Sequence, residues 1–163
     1  MEHKVTKIKL SPELAQQKIM SWCAYQERSQ HETRQKLYEY GLHSEDVEAI
    51  ISNMITENFL NEERFAIAFA GGKFRIKHWG KVKIKIELKK HKVSDYCINK
   101  ALKSIDPLEY EEIIKKVIAK KTRLTTSSNA QKIYYSVLNY LVSRGFESDL
   151  VRENLSKLHD EKS

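Results

Sequence analysis

The sequence predicts an all-α protein built from three tandem three-helix units of helix-turn-helix-like size. Five glycines and two prolines among 163 residues leave little material for the many tight turns of an all-β fold. Capping signals mark the starts of helices, and one pattern of apolar residues recurs three times along the chain. Together these observations favour helices over strands.

The first unit carries the clearest helix boundaries. Ser11 can cap a helix whose first position is Pro12, where the missing N–H of proline costs nothing. Ser29 and Glu32 have the spacing of a capping box, and Gly41 can adopt the left-handed conformation that ends a helix. The predicted helices of this unit are residues 12–27, 30–40 and 44–57.

Three sets of apolar residues repeat with spacings of ten and four. The three sets are Leu37, Val47 and Ile51, then Leu88, Ile98 and Leu102, then Leu141, Val151 and Leu155. A capping candidate falls seven residues after each leucine, namely Ser44, Asp95 and Ser148. Because caps and apolar register agree in all three sets, we interpret the pattern as a triplicated three-helix unit.

The repeat predicts where the units and their helices lie. The units are residues 11–60, 61–105 and 106–158, with tails at 1–10 and 159–163. The helices of the second and third units are 62–77, 81–91, 95–104, 108–121, 129–143 and 148–158.

Two segments of the second unit work against this interpretation. Residues 81–88 alternate polar and apolar side chains, which taken alone indicates a half-buried strand. We nevertheless predict a helix, because the aligned segments before Leu37 and Leu141 are helical and Ile84 also has helical spacing to Leu88. Gly71 and Gly72 each disfavour a helix interior and predict a bend or break there.

The positive charge is concentrated in one segment. The chain has a formal charge of +7, and residues 73–92 contain nine basic side chains and one acid, Glu87. On a helix, Lys81, Lys85, Lys89 and Lys92 would form one strip. Such a strip suits an anionic partner such as nucleic acid, an acidic protein face or anionic lipid, although a merely solvated basic face is the alternative.

Catalytic and metal-binding patterns are not recognisable in the sequence. The histidines lack ligand-like spacing to cysteines or carboxylates, and Gly71-Gly72-Lys73 lacks the spaced glycine and the hydroxyl residue of a phosphate loop. Residues 115–121 have the pattern of a solvated, charged helix face. Cys23 and Cys97 are expected to be buried free thiols. We therefore predict a non-enzymatic protein with no cofactor and no metal.

The chain also lacks an apolar stretch long enough to span a membrane and a signal-peptide core. We expect a cytoplasmic protein.

Several segments, in order along the chain, resemble the RecX family of regulators of the RecA recombinase. The resemblance covers residues 19–155. The central segments that carry it are Asn61-Glu62-Glu63-Arg64-Phe65-Ala66, Lys73-Phe74-Arg75, Trp79-Gly80-Lys81-Val82-Lys83-Ile84 and Glu87-Leu88. The flanking ones are Arg28-Ser29 with Glu32, Lys36 and Leu37, then Asn58-Phe59-Leu60, then Leu141 with Arg144-Gly145-Phe146.

The resemblance implies an elongated, curved array of three-helix repeats that binds in the helical groove of the RecA–DNA filament. It further implies restraint of strand exchange, ATP hydrolysis and coprotease activity. The chain departs from the family in carrying Lys92 where a turn glycine is common, so that this turn must either accept a non-glycine residue or change shape. The pair Gly71-Gly72 is also unusual for the family.

We expect a monomer whose partner is a RecA filament and which binds single- or double-stranded DNA weakly and without strong sequence preference. An independent DNA-binding helical-repeat protein is the alternative, because tandem three-helix units can place a helix in the major groove. The residues expected on or near the binding face are Lys73, Arg75, Lys77, Lys81, Lys83, Lys85, Lys89 and Lys90.

Overall fold

The computed structural model describes residues 9–161, and within them the regular structure is nine α-helices without a strand. This confirms the predicted all-α fold class. The helices are α1 (Pro12–Tyr25), α2 (Gln30–Glu39), α3 (Ser44–Thr56), α4 (Glu62–Lys77), α5 (Lys81–Lys90), α6 (Asp95–Lys103), α7 (Pro107–Leu124), α8 (Ala130–Ser143) and α9 (Ser148–Glu161). The tails predicted at 1–8 and 162–163 lie outside the described residues.

The main helix contacts fall within three consecutive sets of three: α1–α3, α4–α6 and α7–α9. Each set is the predicted three-helix unit, although the exact division at residues 11–60, 61–105 and 106–158 stays a prediction. The largest differences in helix bounds are at the ends of α7 and α9, which each continue three residues past the predicted end. Leu10, expected in the N-terminal tail, instead packs on the first core and donates its backbone N–H to the Tyr40 carbonyl at 2.9 Å.

Two of the predicted helix N-caps are confirmed, and three are wrong. Ser11 caps α1, and Ser29 forms the predicted capping box with Glu32. The prediction that Ser44, Asp95 and Ser148 are caps is wrong, because each is the first residue within its helix. For α3 and α6 the cap lies one residue earlier, at His43 and Ser94, where the backbone is still extended, and the hydroxyl of Ser94 accepts the N–H of Cys97 at 3.3 Å.

The two doubtful segments of the second unit are both helical. α5 covers the alternating segment, with Ile84 and Leu88 fully buried and Val82 and Ile86 exposed. The predicted helix is confirmed, and the alternation reflects a narrow buried stripe flanked by lysines. α4 runs unbroken through Gly71 and Gly72, so the expected break is absent.

Two apolar cores hold the helices together. The first is formed by α1–α3 with Leu42 and Leu60, and the second is continuous across α4–α9. Aromatic rings link the second and third units inside this second core: the centroid of Tyr110 lies 5.6 Å from that of Phe74 and 5.6 Å from that of Phe146. The last two units are therefore joined by shared burial of apolar surface.

The turn after α5 keeps its shape without glycine. Lys92 adopts a left-handed conformation with φ of 60°, where the matching positions of the other units are Gly41 and Gly145 with φ of 84° and 95°. Val93 then donates its N–H to the Leu88 carbonyl at 3.2 Å, a bond of the type that closes a helix C-terminus.

We expect the Lys92→Gly substitution to raise the free energy of unfolding by about 1 kcal/mol, because a side chain disfavours the left-handed conformation by about that amount. Urea denaturation monitored by circular dichroism measures the change. Lys85→Gly, in the interior of α5, is the control and should lower stability by about 1 kcal/mol. A loss of stability in Lys92→Gly would contradict the assignment of strain to this turn.

Candidate functional site

The basic residues of the segment 73–92 do not form one continuous strip in the folded chain. Lys73, Arg75 and Lys77 lie on the last turns of α4, and five lysines lie on α5. The α5 residues are Lys81, Lys83, Lys85, Lys89 and Lys90. On α5, Lys81, Lys85 and Lys89 keep the four-residue spacing of the predicted strip, whereas Lys92 lies beyond the end of the helix, in the following turn.

One group of basic residues gathers around Trp79, in the turn between α4 and α5. The Nζ atoms of Lys73 and Lys83 lie 4.9 Å and 4.4 Å from the centroid of a Trp79 ring. Lys73 also lies 5.4 Å from the Phe69 ring. Such cation–π contacts stabilise by roughly 0.5–1 kcal/mol each at exposed sites, so these two lysines are held in place near an aromatic surface.

Two other predicted site residues are ion-paired within the chain. Arg75 Nε lies 3.4 Å from Glu109 Oε1 at the start of α7, and Lys90 Nζ lies 3.0 Å from Glu87 Oε1. Exposed pairs of this kind contribute only about 0–1 kcal/mol, so an anionic partner could compete for both cations at small cost.

Lys81 lies at the junction between the second and third units. Its Nζ is 4.9 Å from the Tyr110 ring centroid, and its backbone N–H donates to the Tyr110 hydroxyl at 3.0 Å. That hydroxyl in turn donates to Glu147 Oε1 at 2.5 Å. Burial, reinforced by the hydrogen bond to Glu147, raises the pKa of Tyr110 and keeps it protonated. Sequence reasoning missed this role of Tyr110, because 29 residues separate it from Lys81.

Backbone contacts between the start of α5 and the turn before α9 complete this junction. Gly80 and Val82 donate their N–H groups to the carbonyls of Arg144 and Gly145, each at 2.9 Å. The Arg144 guanidinium donates to the Lys77 carbonyl. Two N–H groups at the start of α5 are thus satisfied by the third unit instead of by a capping side chain.

Lys85 and Lys89 are exposed residues of α5. They lie one helical turn apart beside Val82 and Ile86, which are 46% and 50% exposed. In the described part of the chain, neither lysine forms an ion pair. This part of the predicted strip is therefore present and available.

A cleft of about 460 Å³ separates the first unit from the second. The α4 residues Phe69, Gly72 and Ile76 line one side of it. Polar contacts bridge the two units beside it: Ser29 Oγ lies 3.1 Å from His91 Nδ1, and Arg64 Nε lies 2.5 Å from Glu27 Oε1. The first junction is thus polar, whereas the second is an apolar core.

Groups that would indicate metal chemistry are not assembled within residues 9–161. No three His, Cys, Asp or Glu side chains in this range are placed to hold a metal ion. Cys23 and Cys97 are buried free thiols, as predicted, and burial raises the pKa of each. Raised pKa values make thiols poor nucleophiles and ligands. None of the described helices is both long and apolar enough to cross a membrane.

The fold and this surface define an all-helical repeat protein whose basic, partly aromatic face suits contact with an anionic partner. Comparison with known proteins gives the family. The family description "RecX, second three-helix domain" matches residues 61–102. The regulatory protein RecX of Thermotoga maritima is 30% identical over 135 residues, which cover 82% of this chain and 78% of that protein. That of Prosthecochloris aestuarii is 28% identical over 142 residues, covering 86% and 91%.

Solved structures show the same fold. The crystal structure of RecX from Lactobacillus salivarius superposes with a TM-score of 0.82 at 18% identity, covering 91% of this chain and 96% of that one. A second structure of a regulatory protein RecX superposes with a TM-score of 0.81 at 20% identity, covering 89% and 71%. The chain belongs to the RecX family of regulatory proteins.

Proposed function

We propose that this chain is a negative modulator of the RecA recombinase that acts by binding the RecA–DNA nucleoprotein filament. The observation that carries the proposal is membership of the RecX family over 82% of the chain. The basic face of the second unit supports it, because a nucleoprotein filament presents both phosphates and acidic side chains to a partner. In this proposal the protein works in the cytoplasm as a monomer with three repeat units, at 11–60, 61–105 and 106–158.

The proposed contact residues are the eight basic residues predicted from the sequence, and they differ in the contacts that they make within the chain. Lys85 and Lys89 are exposed and form no ion pair in the described part of the chain, so they can reach a partner without breaking such a pair. Arg75 and Lys81 already bind groups of the third unit. We therefore expect Lys85 and Lys89 to contribute most to association.

The test measures the single-stranded-DNA-dependent ATPase of the cognate RecA, titrated with the native chain and with a Lys85→Glu, Lys89→Glu variant. We expect the native chain to inhibit and the variant to need roughly tenfold more protein for the same inhibition, since two reversed charges remove electrostatic attraction to the filament. Both side chains are exposed, so helical content should not change.

A Lys115→Glu, Lys116→Glu variant is the matched control, because it makes the same charge change at two exposed positions of α7. It should inhibit like the native chain. If the native chain neither changes the ATPase nor associates with RecA at micromolar concentration, the proposed function is wrong.

Independent DNA binding remains the second candidate, and one observation favours it. Trp79 lies between Lys73 and Lys83, and a ring flanked by cations is a combination with which proteins hold single-stranded nucleic acid. Duplex binding that resists salt, without any effect on RecA, would move this candidate ahead.

A further inference from the structure

A second basic site shares Lys77 with the segment that the sequence singled out, but its other cations lie outside that segment. A depression of about 300 Å³ opens between the end of α4 and the helices α7 and α8. Four cationic side chains line it: Lys77, Lys120, Lys121 and Arg144. The sequence pattern had assigned Lys120 and Lys121 to a solvated helix face, because nothing in the linear order places them near Lys77.

The charge of this depression is not compensated. No acidic residue lines it. Within residues 9–161, none of its four cations forms an ion pair with a carboxylate, whereas Arg34, Arg64, Arg75 and Lys157 each pair with a glutamate. Four like charges that converge on one depression, none of them paired with a carboxylate in this part of the chain, indicate a site for an external anion.

Helix dipoles account for only part of this arrangement. α4 ends at Lys77, α8 ends just before Arg144, and Lys120 and Lys121 lie near the end of α7. Each C-terminus carries roughly −0.5 of an elementary charge, so three ends supply roughly −1.5 against four positive charges. A net positive charge remains for a ligand to neutralise.

Two of the four cations, Lys121 and Arg144, are also held in position. The Arg144 guanidinium donates to the Lys77 carbonyl, and Lys121 Nζ lies 4.9 Å from the centroid of the Tyr140 ring. Tyr140 and the 63% exposed Leu124 add apolar surface at the same depression. A site with fixed cations beside an aromatic ring suits a phosphate that carries a sugar or a base.

The basic surface also continues beyond the depression. Lys77 lines both this depression and the cleft between the first two units, and Lys73 lines that cleft one helical turn away. Lys73 in turn contacts the Trp79 ring, on which Lys83 also lies. Six cations along one surface exceed what a single carboxylate or free phosphate needs, whereas a nucleic-acid backbone places one negative charge at every nucleotide.

We propose that the depression between α4, α7 and α8 binds backbone phosphates of a nucleic-acid strand, with Lys77, Lys120, Lys121 and Arg144 as its cations. This site goes beyond the proposed regulation of RecA and does not depend on it. The two can therefore fail separately, because the experiment below contains no RecA.

The experiment uses the full chain and a fluorescently labelled oligothymidylate, with affinity measured by anisotropy between roughly 50 and 200 mM salt. The site variant is Lys120→Gln, Lys121→Gln. The matched control is Lys115→Gln, Lys116→Gln, which removes the same charge from the same helix outside the depression.

We expect the site variant to bind roughly tenfold more weakly and the slope of log affinity against log salt to fall by about 1.4, that is, about 0.7 for each of two lost phosphate contacts. The control should bind within about twofold of the native chain. Equal losses of affinity in both variants would show that the effect depends only on net charge, which would contradict the proposed site. An unchanged affinity in the site variant would also contradict it. No measurable binding by the native chain would also overturn the proposal.

Two further measurements separate the remaining explanations. Calorimetric titration with inorganic phosphate tests a free-phosphate site: binding that is lost in the site variant, while oligothymidylate affinity is unchanged, would overturn the nucleic-acid assignment. Thermal unfolding tests a purely structural role. If Lys120 and Lys121 only stabilise helix C-termini, their replacement would lower the melting temperature of the variant without weakening the oligonucleotide complex.

Discussion

Replacement of Gly80 by alanine is expected to lower the free energy of unfolding by about 3 kcal/mol. A Cβ at this position would lie within 3.0 Å of the backbone of Gly145 and Phe146, which is closer than such atoms approach. Backbone atoms cannot rotate away as a side chain can. The substitution must therefore separate α5 from the turn before α9 and weaken the N–H bonds of Gly80 and Val82 to that turn.

Urea denaturation followed by circular dichroism measures this loss, and Gly72→Ala is the matched control. An added Cβ at Gly72 meets nothing within 4 Å, so this helix-interior substitution should instead raise stability by about 1 kcal/mol. If Gly80→Ala were as stable as the native chain, the close approach of α5 to the third unit would be wrong.

The Tyr110→Phe substitution is expected to lower the free energy of unfolding by about 2 kcal/mol. It removes a hydroxyl that accepts the N–H of Lys81 and donates to Glu147. Because the ring shape is kept, packing against Phe74 and Phe146 should persist. The loss of stability therefore measures the cost of leaving the Lys81 N–H and the Glu147 carboxylate without this hydroxyl as a partner. Denaturation at neutral pH measures it, with Tyr25→Phe, at an 84% exposed tyrosine, as a control that should change stability little.

The same pair of proteins gives a pH test. The pKa of Tyr110 is raised in the folded chain, whereas a tyrosine in the unfolded chain ionises near pH 10. The stabilisation associated with the neutral hydroxyl is therefore complete below about pH 10 and is lost as the pH rises above it. The stability difference between the native chain and Tyr110→Phe should shrink by up to about 1.4 kcal/mol per pH unit there, and a constant difference would contradict the assignment.

Both substitutions probe one junction, and this junction contains two of the segments through which the chain resembles its family. Trp79-Gly80-Lys81 and Arg144-Gly145-Phe146 are far apart in sequence but meet where α5 approaches the third unit. Their residue types follow from that meeting, since the two glycines allow backbone to contact backbone. The junction positions the basic residues of α5 and the turn before it relative to α7 and α8.

The sequence by itself determined the helices, their triplicate order and the family. Capping serines, the leucine spacing of the repeat and the buried stripe of Ile84 and Leu88 are local signals, because helix hydrogen bonds and helix faces involve residues only three or four positions apart. They located the ends of most helices closely. They misplaced the caps at Ser44 and Asp95 by one residue, since a polar residue favours both the cap and the first turn of a helix.

Only the tertiary structure decided how the charges are grouped. It placed Lys81 against Tyr110 of the third unit, and it brought Lys120 and Arg144 beside Lys77. Local patterns cannot specify such groupings, because they depend on how the second and third units pack around the shared rings of Phe74, Tyr110 and Phe146. Burial of apolar surface is not directional along the chain, so it can bring distant residues together without leaving a signal in their spacing.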